Sequence, residues 1–308
     1  MVPAASSPPL RLLTTMKKIL LATDASQNAD QAARFLAHLP RRERAEVVVV
    51  TVLEDPSIAR EYETAVYNKL SAEQEREAAE EAFRSIQLIF DGVDAELRSM
   101  IQVGHRGETI VQIAKELKAD LVVLGARGHS RVSRILLGST SDFVATHVPC
   151  SVLVVRPSDA YQAGRPLRVV IGYDASKPTE TAIKEFAQIP WGGQAEVHLV
   201  SVVSYLAGFR NEMVSDTESI RLAALSAVRY AAAELHPAAP NASGEVVISD
   251  HVGEGLVRFA HEHQCDLIVV GETHRSALGR ILLGSFSRFI LRHSPSSVWI
   301  TRHQESLK

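Results

Sequence analysis

The sequence has almost no cysteine. Two thiols in 308 residues, Cys150 and Cys265, cannot build a disulfide framework, and neither falls in a Cys/His spacing that would hold zinc. A reducing compartment, the cytoplasm, is the expectation. Cys150 lies in the apolar stretch HVPCSVLVV and reads as a small buried thiol, not a nucleophile. Long apolar runs are also missing: none approaches the ~18–20 residues that span a bilayer, so no membrane partner is expected. The opening MVPAASSPPLRLLTT carries a single arginine and makes a poor signal peptide. Residues 1–15 therefore read as a disordered tail, or as a mis-assigned start upstream of Met16. Concentrated charge is lacking as well. A formal net charge of -3 argues against nucleic acid as a partner. Neither a GxxxxGK[ST] loop nor a GxGxxG after the first strand occurs, which excludes the two commonest phosphate fingerprints.

What is present is written twice. KKILLATDAS at 17–26 returns as LRVVIGYDAS at 167–176, and AEVVVVTV at 45–52 returns as AEVHLVSV at 195–202, both 150 residues later. ADLVVLG at 119–125 returns as CDLIVVG 146 residues later, and SVLVVRP at 151–157 as SVWITRH at 297–303. The shorter offset predicts net deletions in the second copy, one of them between Gly253 and Asp266. PSDAYQAGRP, 157–166, reads as the linker between domain 1 at 16–156 and domain 2 at 167–308.

Within each copy, continuous β-branched runs alternate with helical stripes. VVVVTV, DLVVLG and VLVV have the composition of strands covered on both faces. Ser26 is placed to cap a helix carrying Ala29, Ala32, Ala33 and Leu36 on one side, and Ala182, Ile183, Phe186 and Ala187 follow Ser176 in the same way. Ile110, Ile113, Ala114 and Leu117 form another stripe, and the charged segment from about Ile58 to Phe90 reads as a long solvent-facing helix. This alternation predicts two tandem α/β domains, each a mostly parallel sheet flanked by helices. Ligands bind such sheets outside the carboxyl ends of the strands, where Asp24, Asp174, Gly125 and Gly271 all fall.

The first copy carries Gly125, then Gly128 after two intervening residues, then Gly138 and Ser139 after a further nine, followed by Thr140 and Ser141. Gly125 and Gly128 suit a loop that needs positive φ, or a backbone that a ligand must approach without a Cβ in the way. The Gly138–Ser141 turn opens a short helix whose exposed N–H groups and hydroxyls favour a phosphate. Arg127, His129, Arg131 and Arg134 add positive charge, and Arg127 and Arg131 are within reach of phosphate oxygens. Asp24 is an acceptor suited to ribose hydroxyls or a bound cation, or else an N-cap for the helix near Ser26.

With these residues the chain resembles the universal stress protein family in its tandem form. The likeness covers both halves, and Gly125, Gly128, Gly138 and Ser139 meet the family's nucleotide-binding motif in full. It implies Rossmann-like five-stranded domains, binding of ATP, possible participation of Mg, and pairing of domains through their last strands, either within the chain or in a homodimer. By position, Asp24 corresponds to the residue near the adenosine moiety and Val52 to the one whose backbone meets adenine. The loop from Gly125 through Arg127 and Gly128 to Arg131, with Gly138, Ser139, Thr140 and Ser141, would hold phosphates and ribose. The second copy keeps Asp174, Val202, Gly271, Gly284, Ser285 and Ser287 but places His274 at the position of Gly128, Glu272 at that of Ala126 and Phe286 at that of Thr140. A weaker second site is the expectation.

No catalytic group is assembled: Ser139 has no general base near it in sequence. His147 and His293 precede VPC and SPS and read as helix ends; His261 and His263, two apart, make poor metal partners, and Trp191 and Trp299 read as packing residues. A nucleotide-responsive regulator of the stress response is the leading reading. A slow adenine-nucleotide hydrolase and a dimerising scaffold without nucleotide are its alternatives.

Overall fold

A computed structural model describes residues 16–54, 65–127, 137–158, 164–204, 217–272 and 283–302. The first domain runs β1 (Lys18–Thr23), α1 (Gln27–His38), β2 (Ala45–Leu53), α2 (Ala65–Ile89), β3 (Ala95–Val103), α3 (Arg106–Leu117), β4 (Leu121–Gly125), α4 (Ser139–His147) and β5 (Ser151–Val155). The second repeats it as β6 (Leu167–Gly172), α5 (Lys177–Phe186), β7 (Ala195–Val203), α6 (Thr217–Leu235), β8 (Ala242–Ile248), α7 (Val252–Glu262), β9 (Leu267–Glu272), α8 (Ser285–His293) and β10 (Ser297–Arg302), with a one-turn 3-10 helix, Gly192–Gln194, before β7. The long helix expected from about Ile58 is described from Ala65 onward.

The strands join into one ten-stranded sheet in the order β3-β2-β1-β4-β5-β10-β9-β6-β7-β8. Every pairing is parallel except that of β5 with β10. There Leu153 stands opposite Trp299, its own counterpart in the repeat, with Val152 opposite Ile300 and Val154 opposite Val298. A pseudo-two-fold axis therefore passes between Leu153 and Trp299, and the last strands pair within the chain.

Parallel strands need cover on both faces, and the alternation of side chains supplies it. Ile19, Leu21, Val47, Val49, Leu153, Val169 and Trp299 form one apolar layer, while Leu20, Val48, Val50, Val152, Val170 and Ile300 form the other. Each layer runs unbroken through both domains. Trp191 and Trp299 are packing residues as expected: both are fully buried, and Trp191 stacks on Phe186 at 4.6 Å while its Nε1 donates to the Phe186 carbonyl.

The seam is held by reciprocal polar groups. Arg302 ends β10 and donates to the carbonyls of Ala145, Val148 and Cys150 where α4 terminates. Arg156, its counterpart after β5, donates to the Leu291 carbonyl in α8. Both are buried, and each guanidinium takes up carbonyls at or just beyond a helix carboxyl end. Glu185 of α5 breaks this symmetry. Its part-buried carboxyl accepts from Trp299 Nε1 at 3.1 Å and from Ser151 Oγ at 2.8 Å; desolvation at the seam pushes its pKa up to about 8.

The repeat alignment needs one correction. Gly107 and Gly253 occupy the same place, each with a phenylalanine, Phe143 or Phe289, where a Cβ would stand, and they lie 146 residues apart, as do Asp120 and Asp266. No residue is lost between Gly253 and Asp266. In β8 the register against β7 already shows an offset of 145, so the net deletion falls between β7 and β8. Matching VG at 252–253 with VG at 103–104 conceals this, because the two dipeptides sit at different points of the turn.

Candidate functional site

The site begins in a strained turn. Each Asp-Ala-Ser, at 24–26 and 174–176, puts its alanine in the left-handed region, Ala25 with φ of 60° and Ala175 with φ of 57°. An L-residue pays about 1–2 kcal/mol for that conformation. The aspartate offsets part of it: Asp24 Oδ1 accepts from the Ser26 amide at 3.1 Å, and Asp174 Oδ1 does the same for Ser176 at 3.0 Å. Ser26 caps α1 by accepting from the Ala29 amide. Asp24 is thus not the cap; it is held just before it, at the carboxyl end of β1.

Asp24 lines a cavity of about 500 Å³, within the range typical of small-ligand sites. Around it stand Val52 from the end of β2, Gly125 and Arg127 after β4, and Gly138, Ser139, Thr140 and Ser141 at the start of α4. Gly138 is the N-cap and carries no side-chain acceptor, and Ser139, Thr140 and Ser141 in the first turn of α4 line this space. Eight of the ten residues expected in the first site are therefore brought together; Gly128 and Arg131 lie outside the described residues.

Two expectations change in detail. Gly125 has no positive φ. A Cβ on it would meet the Asn28 carbonyl oxygen at 2.8 Å, so glycine is there to let α1 lie close on β4. Gly271 is tighter still, with the Pro178 oxygen 2.2 Å from an added Cβ. Ser141 is buried, and its hydroxyl donates to the Gly125 carbonyl at 2.8 Å, pinning α4 to β4 while it lines the cavity.

Arg106 was not anticipated. It opens α3, lines the cavity, and forms an ion pair with Glu54 at 3.2 Å. The signal was the charged His105-Arg106 ahead of the Ile110 stripe; in the second copy Val252 stands at that position. Asp24 is the one carboxylate among the described lining residues, and no group of three or more His, Cys, Asp or Glu gathers for a metal among the described residues. Burial, reinforced by the nearby Arg127 charge, pulls Arg156 down to about 10.

In the second domain Asp174, Val202, Gly271, Gly284, Ser285 and Ser287 hold matching positions, while His274 lies outside the described residues. His147 and His293 end their helices as expected, each ring Nδ1 lying 2.8–2.9 Å from the carbonyl four residues back, Phe143 or Phe289. His263 likewise caps α7 through the Phe259 carbonyl. Among the described residues no helix is long and apolar enough to cross a membrane.

A family model described as the universal stress protein family matches residues 15–156 and again 167–302. A Staphylococcus haemolyticus protein named as a universal stress protein is 28% identical over 156 residues, which is 50% of this chain and 93% of that protein. A Staphylococcus aureus relative so named is 29% identical over 149 residues, 48% of this chain and 88% of its own. The crystal structure of a universal stress protein from Archaeoglobus fulgidus is similar over 94% of this chain and 98% of its own, with a TM-score of 0.63 and 18% identity. A Pseudomonas aeruginosa protein of unknown function is similar over 93% and 92%, with a TM-score of 0.58 and 13% identity. At these identities the structural likeness speaks to the fold.

Proposed function

The chain belongs to the universal stress protein family, and from that premise we propose that its first domain binds ATP and that the chain acts as a nucleotide-responsive regulator of the stress response. One observation carries the reading: the uncapped amino terminus of α4 faces a cavity of about 500 Å³ that also holds Arg106, Arg127 and Asp24. A helix start with free N–H groups is a ready anion site, and two guanidinium groups extend it.

The residues suit the ligand from end to end. Val50, Val52, Ala22 and Ile110 offer an apolar surface for the base, Asp24 an acceptor for ribose hydroxyls, and Ser139 and Thr140 donors for phosphate. Mg, where present, would arrive with the nucleotide, Asp24 being the one carboxylate among the described lining residues. No step in this reading requires turnover.

Titration of the purified protein with ATP tests it. One equivalent with a Kd in the micromolar range is expected, weakened roughly tenfold by Arg127→Ala and further by added salt. No bound and no titratable ATP would remove the proposal. Phosphate release faster than about 1 per second, the low end of ordinary enzymes, would replace the regulator with the hydrolase.

A further inference from the structure

The two clefts diverge at positions that face one another. In the first domain the Gly138 amide donates to a backbone carbonyl, that of Ala126, at 2.8 Å. In the second the Gly284 amide donates to Glu272 Oε1 at 2.9 Å. A full carboxylate has taken the place of a carbonyl at the start of α8. It packs where a side chain on Gly284 would begin, since an added Cβ would lie 2.8 Å from Oε1. Its other oxygen, Oε2, is buried without a hydrogen-bond partner. A negative charge at a helix amino terminus is favourable, and one attached to the chain competes at an effective concentration that a free anion must exceed.

Phe286, one residue into α8 beyond Ser285, sits where the first domain has Thr140. Its ring packs against the apolar layer and comes within 3.9 Å of the point where a Cβ on Gly172 would stand. The matching residue at the end of β1 is Ala22, whose methyl lines the open cavity. A ring has been gained and a methyl lost at touching positions. That exchange is the signature of a packed element, not of a flap over a vacant site. Val252 in place of Arg106 removes the cation as well.

We propose that the second cleft is closed by the chain's own side chains, Glu272 serving as a tethered anion at the amino terminus of α8 and Phe286 filling the space above β6. The chain then takes nucleotide in the first cleft alone. This rests on the reading of the first cleft only in using it to say where a ligand would lie.

Two measurements on the full chain test it: ATP equivalents bound by equilibrium dialysis, and hydrogen exchange of the Gly284 amide. The wild type should bind one equivalent with that amide protected. Glu272→Gln, which keeps an acceptor, should retain protection, and Glu272→Ala should speed exchange about tenfold or more in a chain whose thermal unfolding remains cooperative. Glu272→Ala combined with Phe286→Thr should admit a second equivalent. Two equivalents in the wild type, unchanged Gly284 exchange in folded Glu272→Ala, or no second equivalent in the folded double variant would each overturn the proposal. Zero equivalents in the wild type, with faster exchange in Glu272→Ala and one equivalent in the double variant, would refute the reading of the first cleft and leave this one standing.

Discussion

Replacing Glu185 by glutamine should change how the stability of the chain depends on pH. The carboxyl is part-buried between α5, β5 and β10, facing Ser151, Trp299, the Asp120 carboxylate and the Arg302 guanidinium. Burial is the largest cause of its raised pKa, and Asp120 adds to it; the two hydrogen bonds and Arg302 oppose. In the folded chain the group keeps its proton up to about pH 8, whereas unfolded it releases it near the ordinary value of 4.5. Between those values the folded state holds more protons, so its stability falls as pH rises. The contribution is whole below 4.5, declines through the window, and falls no further above 8. At about 1.4 kcal/mol per pH unit, the ceiling is about 3 kcal/mol by pH 7 and about 5 kcal/mol beyond pH 8. Glutamine can still accept from Trp299 Nε1 and donate to Ser151 Oγ but cannot ionise. Urea unfolding of wild type and Glu185→Gln at pH 5.5, 7 and 9 should therefore give a difference that moves in favour of the variant by some kcal/mol as pH rises. A difference that stays level across that range, with both proteins folded, would refute the argument.

Three further outcomes follow from the same structure. Arg302→Leu leaves the carbonyls of Ala145, Val148 and Cys150 without their donor in a buried seam and should cost about 2–4 kcal/mol in denaturant unfolding; a cost near zero would mean that other donors or water replace it. Gly125→Ala and Gly271→Ala should each destabilise by about 1–3 kcal/mol with Gly271→Ala the worse, because the obstructing oxygens are backbone, at 2.8 Å and 2.2 Å; equal effects, or none, would contradict the close-packing account. Cys150 and Cys265, whose burial pushes both thiols up to about 12, should react with a thiol-specific disulfide reagent at neutral pH only at the rate of unfolding; rapid labelling of the native protein would refute that assignment.

The strands and the repeat were legible because a strand buried on both faces must be apolar throughout, and VVVVTV or DLVVLG offers no other reading. The gathering of Asp24, Gly125 and Gly138 around one cavity followed, since they end or begin elements that a parallel sheet brings to one edge. What stayed hidden depends on contacts distant in sequence. Nothing near Gly125 says that Asn28 will press on it, so a glycine that serves helix packing looks like a ligand's glycine. Ala25 adopts positive φ in a tripeptide with no glycine, because Asp24 and Ser26 hold the turn from either side. Glu185 reads as one more surface acid on a helix until the seam closes over it. Glu272 reads only as a substitution for Ala126, and its place at the Gly284 amide emerges once α8 is set against β9.

The facing of Leu153 with Trp299 has a consequence for how such a molecule can change over generations. Two identical subunits meeting on a two-fold axis present the same residue from both sides, so every substitution at the centre is made twice and must tolerate its own image. Joining the copies in one gene releases that constraint. A bulky indole can settle against a leucine, an acid can enter at 185 while a phenylalanine stays at 35, and one cleft can be stoppered while the other remains open. Covalent fusion thereby lets the two halves of a single sheet accept different substitutions.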